Sequence, residues 1–199
     1  MTNEYCFVTR WRFEGAIEEV YDLIRNPLDY PRWWPSVYLE TKEIAPGDER
    51  GVGRRIRLHT KGWLPYTIRW ESCAAEVERP QRLTIRAAGD FDGRGIWTLE
   101  ERNGVVGVTF DWKLRTDKPL LRYLSFLLKP AFAANHRWAM ARGEESLRLE
   151  LARRHAGTAE EARRIPPPPS PNQTSGLWLV LGALVLVGVL MGLLRLAWR

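Results

Sequence analysis

Six consecutive segments between residues 37 and 115 alternate apolar and polar residues, the pattern typical of β-strands with one buried face. Gly- and Pro-rich stretches separate them, and Asn103-Gly104 is a signal for a tight hairpin. The six segments are residues 37–44, 54–60, 66–77, 82–88, 95–101 and 105–115. A seventh alternating segment covers residues 5–13. Because strands joined by short turns pair with their sequence neighbours, the pattern predicts an antiparallel meander.

Helical spacing of apolar residues occurs before and after these strands. Residues 16–25 predict an amphipathic helix and residues 28–34 a second short turn or helix. After the last strand an apolar stripe ends at Pro130, and residues 131–154 predict a longer helix. One side of that helix carries Phe132, His136, Met140, Gly143 and Leu147. This order predicts an α+β domain in which a curved antiparallel sheet wraps its apolar face around a long C-terminal helix.

The ten tryptophans of this short chain require a large interior or a cavity wall. Several lie on the alternating faces that we expect to point at the long helix. The residues that we predict to line a ligand cavity are Trp33, Trp34, Tyr66, Trp70, Trp97, Trp112 and His136. A solid core lined by the same residues is the alternative. Gly143, on the inner side of the helix, predicts a close approach of the sheet or of a ligand.

Composition and motifs exclude several function classes. With 45% hydrophobic and 27% charged residues the chain is foldable, not disordered. Cys6 and Cys73 make neither a disulfide framework nor a zinc set, so we expect reduced, buried thiols. No zinc-hydrolase, serine-elbow or nucleotide-binding motif occurs, and we expect no metal and no cofactor. Residues 90–101 resemble a calcium loop, but Arg94 stands where an oxygen ligand belongs, which favours a hairpin turn.

The net charge of +6 is carried mostly by arginine. Arg54, Arg55, Arg57 and His59 cluster on one predicted strand, with Arg69 on the next. A solvated outer face is one interpretation, and contact with the anionic lipids of a membrane is the other. Because the basic residues are mixed with acidic ones and no recognition motif is present, we do not expect a nucleic-acid partner.

The last quarter of the chain changes character twice. Residues 156–175 lose apolar periodicity and contain four consecutive prolines, which predicts an extended linker. The 19 residues from 176 to 194 are uncharged and apolar, long enough to cross a bilayer. We therefore predict a domain over 1–155, a transmembrane helix over 176–195 and a short tail over 196–199. Because no secretory-signal pattern opens the sequence, we expect a single-pass membrane protein whose domain faces the cytoplasm.

The sequence resembles the START-like superfamily, also called SRPBCC or the polyketide cyclase/dehydrase-like group. The resemblance covers about residues 4–154 and rests on the order of elements and on AIEEVYDLIRNPLDYPRWWPSV. The later segments GDFDGRGIWTL, VTFDWKL and KPLLRYLSFLLKPAFAANHRWAMARGEESL resemble a membrane-associated bacterial branch. The resemblance implies the helix-grip fold and a deep apolar cavity that holds a lipid, sterol, polyketide or similar molecule. The predicted membrane anchor departs from most members.

The expected function is binding of an apolar, lipid-like small molecule by a membrane-anchored domain. One alternative is a cyclase or dehydratase acting on a polyketide-like or aromatic substrate, with His136 and either Asp90 or Asp111 as acid/base groups. His136 is the single catalytic candidate on the inner side of the helix, where a hydrogen-bonded core histidine is the simpler interpretation. A second alternative is a non-catalytic domain whose groove holds a protein partner.

Overall fold

The computed structural model describes residues 4–64, 66–115 and 125–172 of the 199-residue chain. The strands are β1 (Glu4–Glu14), β2 (Tyr38–Ala45), β3 (Arg55–Lys61), β4 (Thr67–Glu78), β5 (Arg82–Gly89), β6 (Asp92–Arg102) and β7 (Val105–Arg115). The helices are α1 (Ile17–Ile24), α2 (Tyr30–Trp33), α3 (Ser125–His155) and α4 (Ala159–Arg164), with a 3₁₀ turn at Pro27–Asp29.

All seven strands form one antiparallel sheet, in the order β1-β7-β6-β5-β4-β3-β2. From β2 to β7 each strand pairs with its sequence neighbour, which confirms the predicted meander. The first strand pairs along its whole length with β7, from Glu4 opposite Arg115 to Glu14 opposite Val105. The Asn103-Gly104 hairpin also forms, and both residues have the positive φ angles that such a turn requires.

Strand β6 begins at Asp92, three residues earlier than the alternation predicts, because Gly93 interrupts the apolar and polar pattern. Gly95 is a strand residue, and a Cβ placed on it would lie 2.7 Å from Trp112 Cε3 and 2.8 Å from Phe110 Cε2. Only glycine leaves room there for the two rings. The segment that resembled a calcium loop is therefore the β5–β6 hairpin and strand β6 itself.

Helix α3 runs through Pro130, so the predicted interruption at that residue is wrong. A proline removes one backbone donor, and here it does so near the beginning of a 31-residue helix. The rest of α3 packs its buried face against the domain through Met140, Leu147 and Leu151. That packing sustains the helix despite the missing hydrogen bond.

The first helices close one end of the domain. On α1 the buried residues are Val20, Tyr21, Leu23 and Ile24, which lie on one face of the predicted amphipathic helix. The Tyr30 hydroxyl donates to the Ile24 carbonyl and joins α2 to α1. A Cβ on Gly143 would overlap the ring of Trp34, so the close neighbour at this glycine is the turn after α2 and not the sheet or a ligand as predicted. The indole of Trp34 thus lies directly against α3.

The segment after α3 is more structured than a plain linker. Helix α4 is capped by Thr158, whose hydroxyl accepts a hydrogen bond from the Glu161 amide at 3.1 Å. The chain then continues through the prolines to Asn172. None of the helices in residues 4–64, 66–115 and 125–172 is long and apolar enough to cross a membrane. The predicted transmembrane helix over 176–195 and the tail over 196–199 lie outside the described residues.

Both cysteines are free thiols, but neither is buried: Cys6 is exposed and Cys73 half-buried. The expectation of buried thiols is wrong because of strand alternation. Tyr5 and Phe7 point into the domain, so Cys6 between them points outward.

Candidate functional site

A cavity of about 580 Å³ lies between the inner face of the sheet and α3. Its volume is within the range of small-molecule binding sites. Every strand contributes to its wall, and most of the lining side chains are aromatic or aliphatic. The aromatic residues on the wall are Tyr5, Phe7, Tyr30, Trp34, Tyr38, Tyr66, Trp70, Phe91, Trp97, Phe110, Trp112 and Phe132.

Stacked rings form the floor of this cavity on the central strands. Trp97 and Phe110 face each other across β6 and β7 with ring centroids 3.9 Å apart, and Phe110 stacks on Trp112 at 5.3 Å. Trp70 on β4 lies 5.8 Å from Trp112, and Phe91 from the β5–β6 hairpin contacts both. These contacts fix the rings in place, so the floor is a rigid apolar surface.

Helix α3 covers the cavity with one stripe of residues. The stripe consists of Phe132, Asn135, His136, Ala139 and Met140, which recur at the three- and four-residue spacing of a single helix face. His136 stacks on Phe7 with ring centroids 4.3 Å apart, and its Nε2 lies 3.4 Å from the Thr9 hydroxyl. Burial, assisted by the neighbouring Arg137, lowers the pKa of His136 to about 4. The imidazole is therefore neutral at physiological pH.

The two ends of the cavity differ. One end of the cavity is where strands β3, β5 and β7 end and where strands β1, β4 and β6 begin. At that end the lining includes the exposed residues Tyr66, Thr67 and Arg115 and the half-buried residues Lys61 and Asn135. We call this end the mouth. The other end is filled by Trp11, Trp33 and Trp34, each at most 3% exposed.

A few hydroxyl groups interrupt the apolar wall. Ser72 on β4 and Tyr38 on β2 both line the cavity. Burial holds the pKa of the Tyr38 phenol well above its ordinary value, so it keeps its proton and can donate a hydrogen bond. Thr60 is already engaged, since it accepts from Trp70 Nε1 at 3.3 Å and donates to the Ile68 carbonyl at 3.4 Å. The wall thus offers few polar groups for orienting a ligand.

Most of the residues predicted from the sequence to line a cavity do lie on its wall. They are Trp34, Tyr66, Trp70, Trp97, Trp112 and His136. The exception is Trp33, which is 1% exposed in the core behind Trp34, with ring centroids 5.5 Å apart. Two consecutive residues on a helical turn point in different directions, so only one of this pair faces the cavity.

The two aspartates proposed as acid/base partners of His136 are not placed alike. Asp111 lies between Phe110 and Trp112, which face the cavity, so its side chain points to the outer face of the sheet. Asp90 lines the mouth, where its Oδ2 accepts a hydrogen bond from the Arg69 amide at 2.8 Å. Within the described ranges no carboxylate is hydrogen-bonded to His136.

Several wall residues were not selected from the sequence. Phe110 and Phe7 lie in alternating segments, and that alternation could have identified them. Tyr38 lies in the predicted strand 37–44, and alternation could have identified it in the same way. Phe91 gave no signal, because it lies in a turn between two glycines and reaches the cavity only through the tertiary path of the hairpin.

The basic cluster is on the outer face of the sheet, opposite the cavity. Arg55 and Arg57 both donate to Glu71, at 2.9 and 2.8 Å, and Arg54 donates to Glu43 at 2.7 Å. These exposed ion pairs neutralise part of the charge. They leave a mixed surface of the kind expected for a solvated face.

In the described part of the chain no group of three or more His, Cys, Asp or Glu side chains is arranged to hold a metal ion.

Comparison with solved structures identifies the fold. A protein from Thermus thermophilus, TTHA0849, superposes with a TM-score of 0.59 at 17% identity, covering 72% of this chain and 97% of that one. The Zhui aromatase/cyclase from Streptomyces sp. R1128 gives 0.65 at 12% identity, with coverages of 78% and 98%. A START superfamily protein from Mycobacterium smegmatis gives 0.51 at 12%, with 68% and 98%. These similarities establish a shared helix-grip fold.

The sequence itself identifies the family. No curated protein matches the chain. The profile of the family described as "Polyketide cyclase / dehydrase and lipid transport" matches residues 7–151, which span the sheet and nearly all of α3. This match confirms the resemblance to the polyketide cyclase/dehydrase-like group that was noted from the sequence, and it does not extend to the membrane-associated branch. The chain therefore belongs to the polyketide cyclase/dehydrase and lipid transport family.

Proposed function

We propose that this protein is a membrane-anchored domain that binds an apolar, lipid-like small molecule in the cavity between the sheet and α3. The observation that carries the proposal is the cavity itself, about 580 Å³ of space bounded mainly by aromatic and aliphatic side chains. Family membership supports a small hydrophobic ligand.

The chemistry of the wall supports a ligand with few polar groups. Affinity would come mainly from apolar area removed from water, at roughly 25 cal/mol per Å². A donor such as the Tyr38 phenol would orient one polar group of the ligand, since it lies on an otherwise apolar wall. The charged side chains of the lining, Lys61, Asp90 and Arg115, are at the mouth, so a ligand charge placed deeper in the cavity would lose its hydration without a partner.

The membrane anchor is the second part of the proposal. It is supported by the uncharged apolar run over 176–194. A single-pass anchor with the domain on the cytoplasmic side is the arrangement that we propose. Protease protection in sealed inverted vesicles tests it: the domain should be digested without detergent.

A catalytic function is the second candidate, and His136 on the cavity wall is the observation that favours it. The fold is shared with a protein named as an aromatase/cyclase. The neutral imidazole could accept a proton, but its only hydrogen-bonding neighbour in the described residues is the Thr9 hydroxyl. An acid/base mechanism usually needs a second positioned group. We therefore favour binding without catalysis.

Paired substitutions separate the two functions. The full chain in detergent would be titrated with cis-parinaric acid, a fluorescent fatty acid that accepts energy from tryptophan. Removing a wall ring in Trp112→Ala should weaken binding by at least about tenfold, because apolar area is lost. His136→Ala should change affinity by less than about threefold.

The contrary pattern would support catalysis. If His136→Ala binds as wild type does but fails to form a product that mass spectrometry detects with wild type, the protein is an enzyme. If Trp112→Ala folds and binds the probe as tightly as wild type, the cavity is not the binding site. Near-ultraviolet circular dichroism verifies that both variants are folded.

A further inference from the structure

The segment after α3 returns along the domain instead of leaving it. Helix α3 ends at His155, whose Nε2 lies 2.8 Å from Glu19 Oε2 on α1, at the closed end of the cavity. Arg153, in the last turn of α3, donates a hydrogen bond to the carbonyl of Pro166, which follows α4. Lys61 Nζ then donates to the carbonyl of Asn172 at 2.8 Å. Lys61 is the last residue of β3 and lines the mouth, so residues 156–172 connect the two ends of the domain.

This return path runs the length of the domain, from the closed end to the mouth. Asn135 marks the mouth on α3, and the 20 residues from there to His155 rise by roughly 30 Å at about 1.5 Å per residue. The chain covers the same distance in the opposite direction between His155 and Asn172. We call residues 156–172 the strap.

The strap is stiff and lies on the surface of the domain. Its prolines favour an extended conformation that advances about 3.1 Å per residue and resists bending. Ile165, Pro168, Pro171 and Asn172 are half-buried. A free, flexible tether would expose all of them, so the strap fixes where the next part of the chain begins.

The mouth next to the end of the strap carries residues suited to a membrane surface. The β3–β4 loop contains the half-buried Trp63 and Leu64, and Tyr66 is 39% exposed. The Leu64 amide donates to Asn135 Oδ1 at 3.2 Å, which ties this loop to α3. Trp and Tyr are the residues enriched at the boundary between lipid and water.

The apolar run begins at Gly176, four residues after Asn172. Four extended residues reach at most roughly 14 Å. An anchor that starts there keeps the mouth near the bilayer surface.

We propose that the strap holds the mouth of the cavity against the bilayer, so that a membrane lipid enters the cavity without crossing bulk water. The proposal rests on the membrane anchoring and apolar binding proposed above. It adds the orientation of the domain, with its mouth towards the membrane, and it names the bilayer both as the surface that the mouth contacts and as the source of the ligand. The alternative occupant of the mouth is the chain's own apolar run, inserted into the cavity as a plug, and the experiment below distinguishes it.

The experiment places the full chain in vesicles of phosphatidylcholine with one fifth phosphatidylglycerol. Lipids brominated near the headgroup quench tryptophans that lie at the membrane surface. The signal of Trp63 is the difference between wild type and Trp63→Phe. Tyr66→Trp provides a second reporter at an exposed position.

Two insertions test the strap. About twelve Gly/Ser residues between Asn172 and Gln173 would release the mouth while keeping the tether. The matched control carries the same insertion between Asn103 and Gly104, in the hairpin at the closed end.

We expect the Trp63 signal to fall by at least about twofold with brominated lipid in wild type and in the control insertion. It should be unchanged by brominated lipid after the Asn172 insertion. Equal quenching before and after that insertion, or no quenching in wild type, would overturn the proposal. An unquenched Trp63 together with tighter cis-parinaric acid binding after deletion of residues 173–199 would identify the plug instead.

Binding of cis-parinaric acid to the same variants in detergent keeps the two proposals apart. If no variant binds the probe while Trp63 is quenched as expected, the binding function fails and the orientation stands. If all variants bind the probe but the Asn172 insertion leaves quenching unaltered, the orientation fails and the binding function stands.

Discussion

At Gly143 the backbone of α3 and the indole of Trp34 are in direct contact, and no side chain fits between them. Gly143→Ala should therefore destabilise the protein by about 1–2 kcal/mol, because the overpacking cost of about 1–3 kcal/mol exceeds the gain in helix propensity. Urea unfolding of the full chain in detergent measures the change.

Gly107→Ala is the control for that substitution. The nearest atom to a Cβ at Gly107 is the Glu100 carbonyl oxygen, 3.8 Å away, and the backbone there is not in the left-handed region. This variant should stay within about 0.5 kcal/mol of wild type. If Gly143→Ala is equally harmless, the tight contact with Trp34 does not exist.

The buried imidazole of His136 predicts a pH-dependent stability. Burial lowers its pKa to about 4 in the folded protein, while the unfolded chain has the ordinary value of 6.5. The unfolded state therefore takes up a proton between pH 6.5 and 4 that the folded state does not. Stability present above pH 6.5 is lost as the pH falls through this window, by up to about 1.4 kcal/mol per pH unit.

His136→Phe tests this linkage, since phenylalanine keeps a ring stacked on Phe7 and cannot titrate. The unfolding free energy of wild type minus that of the variant should fall steadily from pH 6.5 to 4, because only wild type loses stability through this titration. A difference that is constant with pH would mean that the imidazole is not buried as described.

The sequence predicted which side chains face the cavity where the two-residue alternation of a strand determines the direction of each side chain. Alternation placed Trp70, Trp97 and Trp112 on the inner face, and all three line the cavity. Trp33 was placed wrongly because a turn, unlike a strand, has no simple two-residue period. Asp111 could have been excluded by the same alternation that selected Trp112.

Among the elements, α2 and α3 are joined by a buried carboxylate. Arg32 on α2 donates to both oxygens of Glu150 on α3, each at 2.9 Å, and Arg154 donates at 3.2 Å. Burial by itself would raise the pKa of Glu150, but hydrogen bonds from Arg32 and Arg154 outweigh it and the pKa is lowered. This contact holds the turn that carries Trp34 against the long helix.

Glu150→Ala should reduce stability by about 2 kcal/mol, because three arginine side chains lose a carboxylate that is only 4% exposed. Glu160→Ala is the matched control, since Glu160 pairs with Arg164 on the exposed α4. Its cost should be below about 0.5 kcal/mol. Thermal unfolding compares the two, and equal shifts would contradict the structural role of Glu150.

The spacing of apolar residues predicted whether each element is a helix or a strand, but it did not predict where each element begins and ends. The strands were recognised because two-residue alternation is local to each segment. The early beginning of β6 depends on its pairing with β7, where Gly93 leaves room for the Lys113 carbonyl. The continuity of α3 through Pro130 depends on the packing of the rest of that helix against the domain. A local pattern does not contain those contacts.

For the whole molecule, the order of elements together with the family resemblance predicted the helix-grip fold. It did not distinguish a cavity from a solid core, because the same aromatic residues line either one. The distinction depends on how far α3 stands from the sheet, and the contacts that set this spacing join residues distant in sequence, such as His136 with Phe7 and Gly143 with Trp34. Such spacing is a property of the assembled domain.

Native mass spectrometry of the purified full chain tests the cavity most directly. Ala139 lines the cavity and Ala141 is exposed on the opposite face of α3, so Ala139→Phe and Ala141→Phe add the same ring inside and outside. Wild type and Ala141→Phe should carry a non-covalent molecule of roughly a few hundred daltons, and Ala139→Phe should lose it. Absence of any bound molecule from wild type, or equal occupancy in all three proteins, would contradict the account.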